Sequence, residues 1–199
     1  MYRHFFKRTL DIVGSLILLP FVLLEVIILA PFIHFTDGGP VFYNALRKGR
    51  KCKTFRMFKL RTMYVNSPDL KNPDGSTYNS AKDPRVTPVG RILRKTSLDE
   101  FPQMLNVLIG DMSFIGPRPT LATRPLDYDS LEGDRKKRYS VRPGITGYAQ
   151  SLYRNAIPQD EKFRLDAYYV DHLSFPLDLK IIWKTVVSVL MRKNVNSQK

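Results

Sequence analysis

From Ile12 to Phe35 the chain is apolar, and its main interruptions are Pro20, Glu25, Pro31 and His34. About 20 apolar residues suffice to cross a bilayer as a helix, so length alone permits a span. Charge argues against one. Arg3, Lys7 and Arg8 precede the stretch, and Arg47, Lys48, Arg50, Lys51 and Lys53 follow it. Basic residues favour the cytoplasmic side, and a single crossing strands one of these clusters outside. Pro20 removes a helix hydrogen bond and bends the axis. The arm Ile12–Leu19 reaches roughly 12 Å at about 1.5 Å per residue, less than half of a hydrocarbon core about 30 Å thick. The pattern therefore predicts a helix that enters one leaflet, bends at Pro20 and returns to the side it left. Glu25 in this zone is costly; it either pairs with a basic residue, stays protonated, or reaches the headgroups on the returning arm.

Beyond the apolar stretch, Val41–Leu46 and Thr54–Arg61 are β-prone runs separated by Arg47-Lys48-Gly49-Arg50-Lys51, which predicts a hairpin. Phe55 and Met57 alternate with Arg56 and Phe58 in its second strand. Asn66–Asp83, with Pro68, Pro73, Asp74 and Gly75, reads as an exposed loop. Val89–Lys95 predicts a short amphipathic helix, and Phe101, Leu105 and Leu108 continue a helical face after it. Near the end, Leu179, Ile182, Trp183, Val186, Val187 and Leu190 fall on one helical side, with Lys180, Lys184 and Arg192 elsewhere. Such a helix lies in a membrane interface or packs on the protein core.

Composition narrows the partners. The chain has 32 Lys+Arg against 18 Asp+Glu, a formal charge of +14 and a pI near 10.0. That balance calls for an anionic partner: nucleic acid, phosphorylated substrate or acidic lipid. No zinc knuckle, helix-turn-helix pattern or aromatic RNA-binding signature supports nucleic acid. The single Cys52 excludes an internal disulfide and has no evident base beside it in sequence. His4, His34 and His172 fit no metal-ligand spacing. Asp127-Tyr128-Asp129 mimics a D-x-D metal motif, and Arg135-Lys136-Lys137-Arg138 is a basic quartet of the kind that forms a solvated face or meets anionic lipid.

The chemistry concentrates in Thr96-Ser97-Leu98-Asp99-Glu100-Phe101-Pro102-Gln103 and the following Gly116-Pro117-Arg118-Pro119. Two adjacent carboxylates flanked by Arg94, Lys95 and Arg118 suit a divalent cation and a phosphate. Ser97 and Glu100 also fit a capping box, in which both acids simply start a helix. The residues alone leave both readings open.

The run from Asp83-Pro84-Arg85 through Gly90-Arg91 to Leu98-Asp99-Glu100 resembles the bacterial sugar transferase family. These are monotopic phosphoglycosyl transferases that begin glycan assembly on a polyprenol carrier. Gly110-Asp111-Met112-Ser113-Phe114-Ile115-Gly116-Pro117-Arg118-Pro119 and Val141-Arg142-Pro143-Gly144-Ile145-Thr146-Gly147 resemble two further family blocks in the expected order. The similarity extends from Tyr2 to about Met191 and matches the small form of the family. The resemblance implies an α+β, mainly α fold: a re-entrant membrane helix over 1–36, then a cytosolic catalytic domain over 37–199 with a short β-hairpin and interfacial helices. It also implies a UDP-sugar donor, an undecaprenyl phosphate acceptor, UMP release and Mg2+, at the cytosolic face of the bacterial inner membrane.

By the same resemblance Asp99 is the nucleophile that forms a sugar-phospho-aspartate, and Asp99 and Glu100 hold Mg2+. Arg94 and Arg118 match phosphate-binding positions, Arg142 is a weaker match, and Lys59 and Arg61 sit where substrate-facing charge is expected. Two departures stand out. A Ser-Pro pair is expected at the helix break, and Leu19 precedes Pro20 here; a Gly-Arg-Asn is expected where Tyr153-Arg154-Asn155 stands. The small form points to an N-acetylated amino sugar, and a homo-oligomer is left open. The rival class is a non-catalytic membrane-surface module binding anionic lipid or nucleic acid, and a second rival is direct displacement with Asp99 as metal ligand or base.

Overall fold

The apolar run folds as one helix, α1 (Lys7–His34), in a computed structural model that describes residues 2–70, 78, 80, 82–123, 125–153 and 157–191. Pro73, Asp74, Gly75, Arg154, Asn155 and Arg192 lie outside the described residues. Pro20 and Pro31 are both inside α1. No residue between Lys7 and His34 leaves the helix, so α1 runs through both prolines. A proline deletes one main-chain bond and bends the axis without having to end the helix.

One face of α1 is docked. Asp11, Ser15, Val22 and Ile33 are buried at intervals that return to the same side of a 3.6-residue helix, while Leu16, Ile17, Phe21, Leu24 and Ile28 stay exposed. Both ends are tied to the rest of the chain. Arg8 donates to the Val107 and Leu108 carbonyls at 2.6 and 2.8 Å. Asp11 Oδ1 accepts from Ser113 Oγ and from the Phe114 amide, each at 3.0 Å. At the far end Ile33 packs with Leu60 and Leu93, and Arg61 donates to the Ile33 carbonyl at 3.0 Å.

The predicted hairpin forms with shorter strands, β1 (Ala45–Lys48) and β2 (Thr54–Met57), paired antiparallel with Leu46 opposite Arg56. Phe55 and Met57 are buried as the alternation requires. The ladder does not run on unbroken to Arg61, because the Asn106 side chain takes over the edge. Its Oδ1 accepts from the Phe58 amide at 2.8 Å and its Nδ2 donates to the Arg56 carbonyl at 2.7 Å. Pairing resumes where Phe42 faces Leu60.

Helix α2 (Pro88–Thr96) starts as its residues predict: Thr87 Oγ1 accepts from the Gly90 amide at 2.9 Å and Pro88 takes the first turn. Helix α3 (Gln103–Ile109) turns a different side inward than the apolar spacing predicts. Gln103, Asn106 and Val107 are buried, whereas Phe101 is exposed. The polar edge of β2 needs amide partners, and the helix presents Asn106 to it.

The two Gly-Pro blocks meet in a parallel pair, β3 (Ser113–Ile115) with β5 (Gly144–Thr146). Between them lie β4 (Thr120–Leu121), which extends the hairpin on the β1 side, and α4 (Gly133–Tyr139). The glycines are required by close approach: a Cβ at Gly144 would stand 2.1 Å from the Gly116 nitrogen. Helices α5 (Tyr148–Tyr153), α6 (Gln159–Asp171) and α7 (Phe175–Leu190) complete the body. Ile181 of α7 joins Ile115, Val141, Tyr169 and Val170 in the core. Leu179, Ile182, Trp183 and Val186 point outward, Trp183 being 70% exposed.

Candidate active site

Asp99 and Glu100 stand on a single 3-10 turn, Leu98–Glu100, immediately after α2. Ser97 ends α2 in the left-handed conformation, φ 61°, with its amide bonded to the Leu93 carbonyl, a common way to stop a helix. The capping-box alternative is thereby excluded. Ser97 makes no side-chain cap, and the Glu100 carboxylate turns instead to Arg118, whose Nη2 lies 3.1 Å from Oε1.

Asp99 is 2% exposed. Lys59 Nζ approaches its Oδ2 at 2.7 Å without hydrogen-bond alignment, so the contact is ionic, and the same ammonium lies 3.5 Å from Glu100 Oε1. One cation thus bridges the carboxylate pair. Burial raises the Glu100 pKa, but Arg118 and Lys59 outweigh it and hold the group at about 2. The carboxylate is ionised throughout the physiological range.

Arg94 donates from Nε to Thr62 Oγ1 at 2.9 Å. Burial lowers its pKa, while the charges of Asp99 and Asp83 act in the opposite sense. The main chain of Arg118 is fixed by Arg138 Nη2, which donates to its carbonyl at 2.9 Å. Arg138 is in turn held by buried Asp166 at 3.0 Å and lies over the Phe163 ring. The basic quartet is therefore not uniformly a solvated face: Arg138 is buried while Arg135 and Lys137 remain outside.

Two expected substrate contacts lie elsewhere. Arg61 is buried and paired with Asp37 at 2.6 Å, with its other donors on the Ile33, Pro40 and Met63 carbonyls. It fastens the end of α1 to the hairpin. Arg142 donates from Nε to the Gly110 carbonyl at 2.8 Å and lines a different cavity, with Arg8 and Arg50. Neither has a contact with the Asp99–Glu100 pair. In Asp127-Tyr128-Asp129 the first carboxylate accepts from the Asp129 amide in a local turn.

Other residues join the site without having stood out in the sequence. Arg47 is on β1 opposite Phe55 and Leu121 rather than in the turn. Its Nε is buried without a hydrogen-bond partner, and burial together with the nearby Arg118 charge lowers its pKa. Lys162 of α6 has a pKa lowered by burial and then by Arg118. Glu25 has both carboxyl oxygens buried without hydrogen-bond partners, and Asp99 is the charge that bears on it. Among the described residues it pairs with no basic side chain. Only the strand register could have separated Arg47 from the basic run around it.

Lys59, Arg118, Arg47 and Arg94 surround two carboxylates, which leaves positive charge for a multiply anionic ligand. Two carboxylates also suit Mg2+, which takes one or two such ligands and completes its shell with water and substrate phosphate. Lys59 already places a cation between them. Among the described residues no group of three His, Cys, Asp or Glu gathers to form an all-protein cage.

Comparison with known proteins places this arrangement in context. The family model described as bacterial sugar transferase matches residues 2–192. The uncharacterized sugar transferase EpsL of Bacillus subtilis is 40% identical over 190 residues, 95% of this chain and 89% of its own length. The undecaprenyl-phosphate galactose phosphotransferase of Salmonella typhimurium is 37% identical over 209 residues, covering 95% of this chain and 41% of that protein. The UDP-N-acetylgalactosamine-undecaprenyl-phosphate N-acetylgalactosaminephosphotransferase of Aeromonas hydrophila is 37% identical over 189 residues, with 94% and 44% covered. The chain thus spans most of the short relative and under half of the long ones. This chain belongs to the bacterial sugar transferase family.

Proposed function

We propose that this chain transfers a sugar 1-phosphate from a UDP-sugar to undecaprenyl phosphate, releasing UMP, with Asp99 as covalent carrier. The observation that carries the reading is the Asp99 carboxylate itself: nearly buried, free of any capping role and held at 2.7 Å by Lys59. An oxygen of Asp99 attacks the phosphorus that bears the sugar. The bond from that phosphorus to the bridging oxygen breaks and UMP leaves. A phosphate oxygen of the lipid acceptor then attacks the same phosphorus, the bond to Asp99 breaks, and the carboxylate is restored.

Two steps suit these substrates, since both are anionic and UMP departs before the second phosphate approaches. Arg118 and Arg94 would bind phosphate oxygens, and Lys59 would release its hold on Asp99 as donor charge arrives. Asp99 and Glu100 would hold Mg2+, which when bound neutralises charge on the diphosphate. An N-acetylated amino sugar is the donor we carry forward.

We also infer a monotopic seat on the cytosolic face of the inner membrane. Helix α1 is long and apolar enough to cross a bilayer, yet its two ends dock on one body through Arg8 and Ile33. A single polar body cannot stand on both sides of a bilayer. The outward Trp183 and Leu179 of α7 fit the same interface.

The test is incubation of the purified protein with a panel of UDP-sugars, Mg2+ and undecaprenyl phosphate, reading UMP. Release that Asp99→Asn abolishes, with a sugar-phosphate mass on the Asp99 peptide when acceptor is withheld, supports the reading. Undiminished turnover by Asp99→Asn overturns it. Turnover without any adduct favours direct displacement.

A further inference from the structure

A second basic centre lies apart from the carboxylate pair. A cavity of about 150 Å³ is lined by Arg3, Lys7, Arg8, Arg50 and Arg142, with Asp11 as its one acidic wall residue. Liquid water takes about 30 Å³ per molecule, so the space holds a group of a few heavy atoms. Lys7 is neutralised by Asp178 at 2.7 Å, and Asp11 is engaged by Ser113 and the Phe114 amide. The guanidinium groups are held by neutral acceptors instead. Arg8 is on the Val107 and Leu108 carbonyls, Arg142 on that of Gly110, Arg50 on that of Ser140, and Arg3 on Ser140 Oγ. Carbonyls and a hydroxyl orient these groups without cancelling their charge. The cost is visible in Arg142, whose pKa is lowered first by burial and then by Arg8 and Arg50. Packed guanidinium groups of this kind are stable with an anion among them.

Position says which anion. The segment that supplies Arg3, Lys7 and Arg8 also carries Phe5 and Phe6, both exposed, and leads directly into the apolar helix α1. Tyr2 of the same segment meets Phe175 edge-on at the start of α7, whose Leu179 and Trp183 are exposed. Apolar rings beside a basic cavity at the root of a membrane helix match the depth at which headgroup phosphates lie.

We propose that this cavity binds the phosphate of an anionic phospholipid headgroup and so fixes the depth and orientation of the protein on the bilayer. The site is distinct from Asp99 and Glu100, and the inference does not depend on the reaction proposed for them.

The test is flotation of the protein with vesicles of neutral phosphatidylcholine alone or mixed with phosphatidylglycerol. Arg3 and Arg50 are exposed at the cavity rim, so Arg3→Gln/Arg50→Gln should fold; Arg3→Gln alone is the milder variant. Lys51→Gln/Lys53→Gln removes the same charge beside Arg50 but outside the cavity lining. We expect the rim variant to lose about 30-fold of the preference for phosphatidylglycerol, from roughly 1 kcal/mol per basic residue at an anionic surface and about 1.4 kcal/mol per tenfold. The Lys51/Lys53 control should lose far less. Equal losses in both variants, or none in the rim variant, overturn the proposal. A thermal-shift titration with inorganic phosphate separates the sources. Stabilisation of the native protein by free phosphate, lost in the rim variant and unaccompanied by any phosphatidylglycerol preference, overturns the lipid assignment.

Discussion

The amide of Leu60 donates to the carbonyl of Asp99 at 3.0 Å. That one main-chain bond ties the segment after β2, which carries Lys59, to the turn carrying the carboxylates, which is why an ammonium meets both acids. Lys59 should therefore matter to both chemistry and folding. Lys59→Met is expected to lower kcat/KM about 10²- to 10³-fold, the range for loss of one well-placed electrostatic donor. Its melting temperature should fall as well, because buried Asp99 loses the cation beside it; a steady-state UMP assay and a melting curve on the same sample read the two effects.

Glu100 sets a pH signature. Its pKa is about 2 in the folded chain against 4.5 unperturbed, so its ionised form favours folding. By linkage this contribution is fully present above about pH 4.5 and is lost as pH falls toward 2. Chemical denaturation as a function of pH should show the native protein losing stability across that window. Glu100→Gln should be flatter there, and an unchanged slope would remove Glu100 from the ion-pair network.

Arg118 depends on a support behind it. Arg138 donates to the Arg118 carbonyl and is paired with Asp166, both partners buried. Removing one member of a buried pair typically costs about 3–5 kcal/mol. Asp166→Asn should fall in that range in denaturant titrations and should also raise KM for the donor, because Arg118 loses its anchor.

The Asn106 side chain makes two main-chain bonds, to Phe58 and Arg56. Asn106→Ala leaves those groups unpaired, at about 1–3 kcal/mol each. A melting temperature lower by several degrees is expected, with kcat reduced because Phe58 immediately precedes Lys59.

The membrane seat has its own test. In a Cys52→Ser background, Thr9→Cys and Thr36→Cys flank the exposed apolar part of α1. An impermeant thiol reagent applied to inside-out vesicles should label both, and reagent on the opposite side neither. Labelling of the two positions from opposite sides would establish a crossing.

Sequence determined a good deal here. The apolar length of α1, the short helix over Val89–Lys95, the alternation of Phe55 and Met57, and the one-sided apolar spacing of α7 are local properties, set by periodicity. The family blocks marked Asp99, Glu100, Arg94 and Arg118 as well. What tertiary structure decided were matters of partnership between distant residues. Whether Ser97–Glu100 form a cap or a site depends on Arg118 and Lys59 arriving from other elements. That Arg61 fastens α1, that Arg142 belongs to a second basic centre, and that Arg47 faces the first depends on strand register and helix docking. Charge is visible in a sequence, but which charges meet is fixed only when the main chain has satisfied its own hydrogen bonds and placed them.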